Sequence, residues 1–263
     1  MEVFNGAIDP IAFNIFGWPV HWYGIIIGLG ILLAYKLIVF QGKEENIDED
    51  TILDLVTVTV LGGFVGARIY YVVFQWDYYR MHPEEIIQIW HGGIAVYGGI
   101  IAGVLILYIM CKKYKLNTLR VFDMTAPAIM LAQSIGRWGN FINQEAYGGE
   151  VSKVILEKWH LPKWLIDQMY IEGIYHHPTF LYESLWNLIG VGILLLLRYR
   201  VRKRPDGLIA ASYFIWYGIG RAWIEGLRSD SLYWGSFRVS QLLSILLIIC
   251  STVWIIYQYK QKK

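Results

Sequence analysis

Apolar residues in this chain run in long blocks, without the strict alternation of surface strands or the single narrow stripe of a soluble amphipathic helix. Blocks with aromatic flanks at about 19–40, 52–74, 93–111, 121–138, 180–198, 208–225 and 239–258 predict seven helices. Each is near the roughly 20 residues needed to cross hydrocarbon. The fourth block stands apart because it contains Asp123, Pro127, Gln133 and Arg137. Such polar groups belong in a helix that lines a protein-enclosed cavity. Gly24 and Gly28, Gly62 and Gly66, and Gly99 and Gly103 repeat at i, i+4, a spacing that lets helices pack closely. The chain shows no internal repeat of the transporter kind.

Composition agrees with the pattern: hydrophobic residues are 56% of the sequence and mean hydropathy is +0.41. The expected class is an all-α integral membrane protein, one polytopic domain over 1–263 with a small external subdomain inserted at about 139–179. A formal charge of +2 gives no reason to expect nucleic acid as a partner. The basic residues instead report topology. Lys112, Lys113, Lys115 and Arg120 follow the third block, Arg198 to Arg204 the fifth, and Lys260, Lys262 and Lys263 the last. Those sides are expected in the cytoplasm, with the amino terminus outside and the carboxyl terminus inside. The stretch KWHLPKWLIDQMY in the long external connection reads as an interfacial helix. Residues 1–18 hold no Lys or Arg, so no secretory n-region is expected there. Cys111 and Cys250 suggest neither a disulfide framework nor a metal site, and no metal is expected.

With that topology, polar residues gather at the external ends of the blocks. Tyr23 opens the first, Arg68 lies toward the end of the second, and His91 and Tyr97 start the third. Arg137, Asn140, Asn143 and Glu145 leave the fourth; His177, Tyr182 and Glu183 open the fifth; Arg221, Glu225 and Arg228 close the sixth. Snorkelling accounts for Arg228 and Arg238. Arg68, Arg137 and Arg221 each follow Gly or Ala within an apolar segment, which leaves room for a bulky anion beside the guanidinium. Three planar donor forks on one side of a membrane suggest a phosphate site. Arg221 and Glu225 share a helix face and form either an ion pair or part of that site. Asn140 and Asn143 either cap the fourth helix or position a headgroup. For His176 and His177 a loop role is expected.

These residues carry a resemblance. HWYGI, GARIYYV, GGIAVYGG, GRWGNFINQEAYG, HPTFLYE and GRAWIEGLRSD resemble, in order and over nearly the whole chain, the bacterial prolipoprotein diacylglyceryl transferases, and the fourth stretch is that family's signature. The resemblance implies a plasma-membrane enzyme whose active site faces the outer leaflet. It would move the diacylglyceryl group of phosphatidylglycerol, a substrate and not a cofactor, onto the lipobox cysteine of a prolipoprotein signal peptide. The product is a thioether, glycerol phosphate is released, and no cofactor is implied. Carried over by motif, Arg137 and Arg221 are the family's arginines, with Asn140, Asn143, Glu145 and Gly148 from the signature, and Tyr23, Tyr217 and Glu225 also at positions the family uses. Arg68 joins the substrate-binding set on the phosphate argument above. Where the family often has a histidine between two Gly-Gly pairs, this chain has Tyr97, which therefore stands among the expected catalytic residues. A phospholipid headgroup transferase of another kind and a lipid or anion transporter are the rival readings. The nearly apolar inner halves of the helices speak against a transport path.

Overall fold

The structure is a computed structural model and describes residues 7–201, 203–228, 233–234 and 237–261. Arg202, Lys262 and Lys263 of the charge pattern lie outside the described residues, as does the side chain of His91. A hairpin of β1 (Ile11–Ile15) and β2 (Trp18–His21) leads into helix α1 (Trp22–Gly42). There follow α2 (Glu49–Phe74), the single turn α3 (Trp76–Tyr79), α4 (Val96–Lys113) and α5 (Thr118–Ile142). Two short helices, α6 (Lys153–Lys158) and α7 (Lys163–Gln168), and a hairpin of β3 (Tyr170–Ile171) and β4 (Ile174–Tyr175) precede α8 (Thr179–Arg200), α9 (Leu208–Ile224) and α10 (Val239–Gln261).

All seven predicted helices are present as α1, α2, α4, α5, α8, α9 and α10, displaced by a few residues at their ends. Five of them, α1, α2, α4, α8 and α10, are long and apolar enough to cross a membrane. The other two, α5 with its internal Asp123 and Pro127 and α9 with 17 residues, fall outside that class. The molecule is thus a mostly helical membrane protein. The chain forms two compact units, one from residues 1–37 and 122–263 and one from residues 38–121.

Within the 38–121 unit, α2 starts where Asp48 accepts the Thr51 amide at 2.8 Å, followed by Glu49 and Asp50 in the first turn. Carboxylates there offset the positive helix end. The helix packs on α4 through small residues. A Cβ on Gly66 would strike Ala102, and one on Gly98 would strike Tyr70 and the Gly66 carbonyl. The glycine spacing in α2 and α4 is therefore helix packing. Gly24 and Gly28 differ, because a Cβ at either meets nothing among the described residues.

In the other unit, α5, α8 and α9 share a core of Ala126, Met130, Val191, Leu194 and Ile209. Gly190 and Gly220 admit a reciprocal tryptophan clasp: Trp186 and Trp216 stack at 4.2 Å between centroids. Each indole donates to the other's carbonyl, Trp186 Nε1 to Trp216 O at 3.1 Å and Trp216 Nε1 to Trp186 O at 2.9 Å. Asp123 begins α9 by accepting the Gly207 and Ala210 amides at 2.8 and 2.9 Å. A carboxylate that stood out inside a predicted span is thus a helix cap.

The 139–179 connection departs from expectation. KWHLPKWLIDQMY does not form one interfacial helix, because Leu161 and Pro162 break it: Lys158 ends α6, and a separate helix, the six residues of α7, starts at Lys163. Leu156, Leu165, Ile166 and Met169 are buried, and Leu165 and Met169 pack with Phe141, Ile171 and Phe180. Fully buried Gln168 closes the assembly: its Nε2 donates to the Phe141 and Ile142 carbonyls at 3.1 and 3.0 Å, and its Oε1 accepts the Ile8 amide at 2.8 Å. This amide joins the backbone amides of residues 143–145 in satisfying the carbonyls at the α5 terminus.

Candidate active site

The tryptophan clasp holds α8 against α9 so that Glu183, on the first turns of α8, faces Arg221 near the end of α9. Arg137 reaches the same carboxylate from α5. The two oxygens are divided: Oε2 pairs with Arg137 Nε, and Oε1 pairs with Arg221 Nη1 at 3.2 Å and Arg228 Nη1 at 3.7 Å. Glu183 is buried, and an isolated carboxylate there would be costly to ionise. Three guanidiniums make its charge sustainable. Arg221 also pairs through Nη2 with buried Glu225 at 2.8 Å, the i, i+4 partnership read in the sequence. Among Arg137, Arg221, Arg228, Glu183 and Glu225, three positive charges face two negative ones.

Arg137 further donates to Asn140 Oδ1 at the long distance of 3.5 Å. Asn140 Nδ2 and Asn143 Nδ2 both donate to Glu145 Oε1, at 3.0 and 3.5 Å. The two amides therefore do not cap α5, a task taken by Gln168; they tie an exposed carboxylate back over the helix end. The chain makes that turn through Gln144 and Ala146, at φ 51° and 56°. Tyr23 packs on Gly139, where a Cβ would lie 2.6 Å from its ring, so this glycine gives the tyrosine its place against the end of α5.

Gly148 acts through its backbone. Its amide donates to the His177 carbonyl at 2.9 Å, it bridges to Arg228, and the next amide, Gly149, donates to the Leu227 carbonyl at 2.9 Å. A Cβ on Gly148 would crowd His177 Cβ at 2.7 Å and the Leu227 carbonyl at 3.0 Å. The signature loop thereby holds the Arg228 backbone in place. Nearby, His176 Nδ1 lies 2.9 Å from the Gly148 carbonyl and His177 Nδ1 lies 3.0 Å from the Tyr182 hydroxyl. Partial burial lowers the His177 pKa. Both histidines serve the loop.

Several expectations change. Arg228 does not snorkel; its side chain is 10% exposed and points at Glu183. Arg238 donates to the Glu225 carbonyl. Glu183, noted in the sequence only as a polar residue opening a helix, is the hub of the cluster. Its signal was a charge balance: arginines drawn partly into the protein demand carboxylates as partners. Tyr217 sits one turn before Arg221 and stacks on Tyr213, at 6.0 Å between centroids.

Arg68 and Tyr97 belong to the 38–121 unit. Arg68 is buried and donates to four carbonyls: Nε to Ile86 at 2.8 Å, Nη1 to Gly92 and Gly93 at 2.8 and 2.7 Å, and Nη2 to Glu85 at 2.6 Å. Four of five guanidinium donors are thus spent on the loop before α4, a bracing role that the phosphate argument did not anticipate. Tyr97 is the second residue of α4 and is 52% exposed. Among the described residues no group of three or more His, Cys, Asp or Glu has the arrangement to hold a metal ion.

The family model described as prolipoprotein diacylglyceryl transferase matches residues 10–257. A protein of Lactobacillus delbrueckii subsp. bulgaricus named phosphatidylglycerol–prolipoprotein diacylglyceryl transferase is 49% identical over 253 residues, covering 96% of this chain and 91% of the relative. One of the same name from Staphylococcus aureus is 51% identical over 257 residues, covering 97% and 91%. Similarity of this depth, spread across every helix that contributes to the arginine cluster, means that the chain belongs to the prolipoprotein diacylglyceryl transferase family.

Proposed function

We propose that this protein transfers the diacylglyceryl group of phosphatidylglycerol to the thiol of a prolipoprotein's lipobox cysteine. The observation that carries the reading is the grip of Arg137 and Arg221 on one carboxylate from two different helices. Where two forks converge on an oxyanion, a phosphodiester oxygen fits as well. The excess of one positive charge in the immediate cluster matches the single negative charge of a phosphodiester.

In this reading seven helices cross the plasma membrane, including α5 and α9, with the amino terminus outside and the cluster toward the outer leaflet. Basic residues at the far helix ends, Lys112, Lys113, Arg198, Arg200 and Lys260, support that direction. Phosphatidylglycerol places its phosphate between Arg137 and Arg221. Asn140, Asn143, Glu145 and Tyr23 line the approach of the headgroup, and Tyr217 and Glu225 fix the α9 side. The substrate thiol has an ordinary pKa of about 8.5, and a positive surround favours its thiolate. Sulfur attacks the glyceryl carbon, the carbon–oxygen bond to phosphate breaks, and glycerol phosphate leaves with charge stabilised by the same guanidiniums. The thiol proton ends on the departing phosphate or in solvent. Tyr97 orients the nucleophile by hydrogen bonding instead of taking its proton.

The test is mass spectrometry of a synthetic lipobox peptide after incubation with purified protein, phosphatidylglycerol and a chelator. A diacylglyceryl mass gain on cysteine is the expected result, and an unmodified peptide beside folded protein would overturn the reading. In the same assay Tyr97→Phe is expected to keep measurable turnover; complete loss with lipid binding intact would refute the orienting role.

A further inference from the structure

The amino-terminal hairpin has a side left largely exposed among the described residues. Its two-residue loop, Phe16 and Gly17, takes φ of 49° and 86°, the doubly left-handed geometry that fits the twist of a tight hairpin. Phe13 pairs with Val20 and Ile15 with Trp18, so these four side chains share one face, while the intervening pair Asn14 and Pro19 occupies the other. On the apolar face Phe13 and Ile15 are about half exposed, Trp18 is 76% exposed, and Phe16 at the tip is 100% exposed. Between Pro10 and Trp22 there is no Lys, Arg, Asp or Glu.

An exposed patch of this kind needs an occupant. The base of the hairpin is fixed: the Trp22 amide donates to the Pro10 carbonyl at 3.0 Å, and the Ile8 amide is held by Gln168. Trp22 is also the first residue of α1, a helix long and apolar enough to span the membrane. The hairpin therefore starts at the level where hydrocarbon gives way to headgroups. A five-residue strand reaches about 17 Å, so an upright hairpin would carry a bare phenylalanine and tryptophan into water. A tilted one buries them where aromatic residues partition best, and the absence of formal charge removes the main cost of doing so.

We infer that the hairpin Ile11–His21 is an interfacial anchor, with Phe13, Ile15, Trp18, Val20 and the tip Phe16 lying among the lipid headgroups of the leaflet at which α1 begins. A polypeptide added as a further strand fits less well, because Pro19 removes an amide from the short strand β2 and the exposed resource is a side-chain face. Lipid is the occupant that continuity with α1 supplies.

The full-length protein can be tested in vesicles of phosphatidylethanolamine and phosphatidylglycerol. Cys111→Ala and Cys250→Ser remove the native thiols, and a nitroxide is attached at Phe16→Cys or, on the other face, at Asn14→Cys. Collision of the label with oxygen is compared with collision with a water-soluble nickel chelate. The expected result is several-fold lower nickel access at position 16 than at position 14, with oxygen access raised at 16. Equal nickel access at both positions would overturn the proposal. So would a position 16 that is open to nickel in bare vesicles and becomes protected only when a lipobox peptide is added, since that would make the peptide the occupant.

Discussion

Arg137 and Glu183 are partners whose loss should have different consequences. Removing Arg137 leaves Glu183 paired with Arg221 and Arg228, so the buried charge keeps company. Arg137→Ala is expected to lower turnover on the order of 100-fold or more while the melting temperature in detergent changes little. Arg137→Lys should recover little of it, because an ammonium cannot present the planar fork; near-normal turnover of the lysine variant would argue against fork recognition of phosphate. Glu183→Ala instead leaves three guanidiniums without their shared anion, and a stability loss of roughly 3–5 kcal/mol is expected. A melt of that variant matching the parent would show that the hub is dispensable. His177 gives a pH signature outside the helices. Burial lowers its folded-state pKa below the ordinary 6.5, so as pH falls through that value the unfolded chain binds the proton first. The contribution is complete above about pH 6.5 and is lost as pH drops toward the folded value. Thermal melts at pH 7.5 and 5.5 should differ less in His177→Gln than in the parent.

At the scale of elements, the active geometry rests on glycines that let aromatic side chains cross between helices. A Cβ on Gly190 meets Met130 Sδ and the Trp216 indole, both inside the α5, α8 and α9 core. Gly190→Val is therefore expected to cost about 1–3 kcal/mol by overpacking and to lower activity by shifting Glu183 relative to Arg221. Gly24→Ala is the control, since its Cβ meets nothing and alanine is the better helix former. If both variants melted alike, the clasp would not be setting the α8 to α9 spacing. Packing on α2 and α4 follows the same rule through Gly66 and Gly98. Helices with little hydrophobic drive to associate in lipid depend on such close contacts.

For the whole molecule the proposal that can be checked directly is direction. In cells carrying the protein without Cys111 and Cys250, Lys158→Cys on exposed α6 is expected to react with a membrane-impermeant maleimide, whereas Lys113→Cys at the end of α4 should react only after permeabilisation. The reverse pattern would invert the assigned orientation. Basic residues set that direction through the energetics of insertion, which act on each loop as it emerges and need no finished fold.

The same distinction separates what the chain's order of residues decides from what folding decides. Five helices long and apolar enough to cross a membrane were legible from block length and apolarity, because burial in hydrocarbon is a property of each segment alone. Arg137 and Arg221 were legible as groups in need of a partner because a guanidinium inside an apolar segment is expensive wherever the segment goes. The common partner of those arginines was not legible. Glu183 lies 46 residues from Arg137 and 38 from Arg221, and only the packing of α5, α8 and α9 makes one carboxylate serve both. Tertiary structure also turned Asp123 into a helix cap, spent Arg68 on four carbonyls and folded the expected surface helix into a small core closed by Gln168. In each case a polar group found its partner across long sequence separations, and partner choice among buried polar groups is fixed by three-dimensional proximity, which no local pattern records.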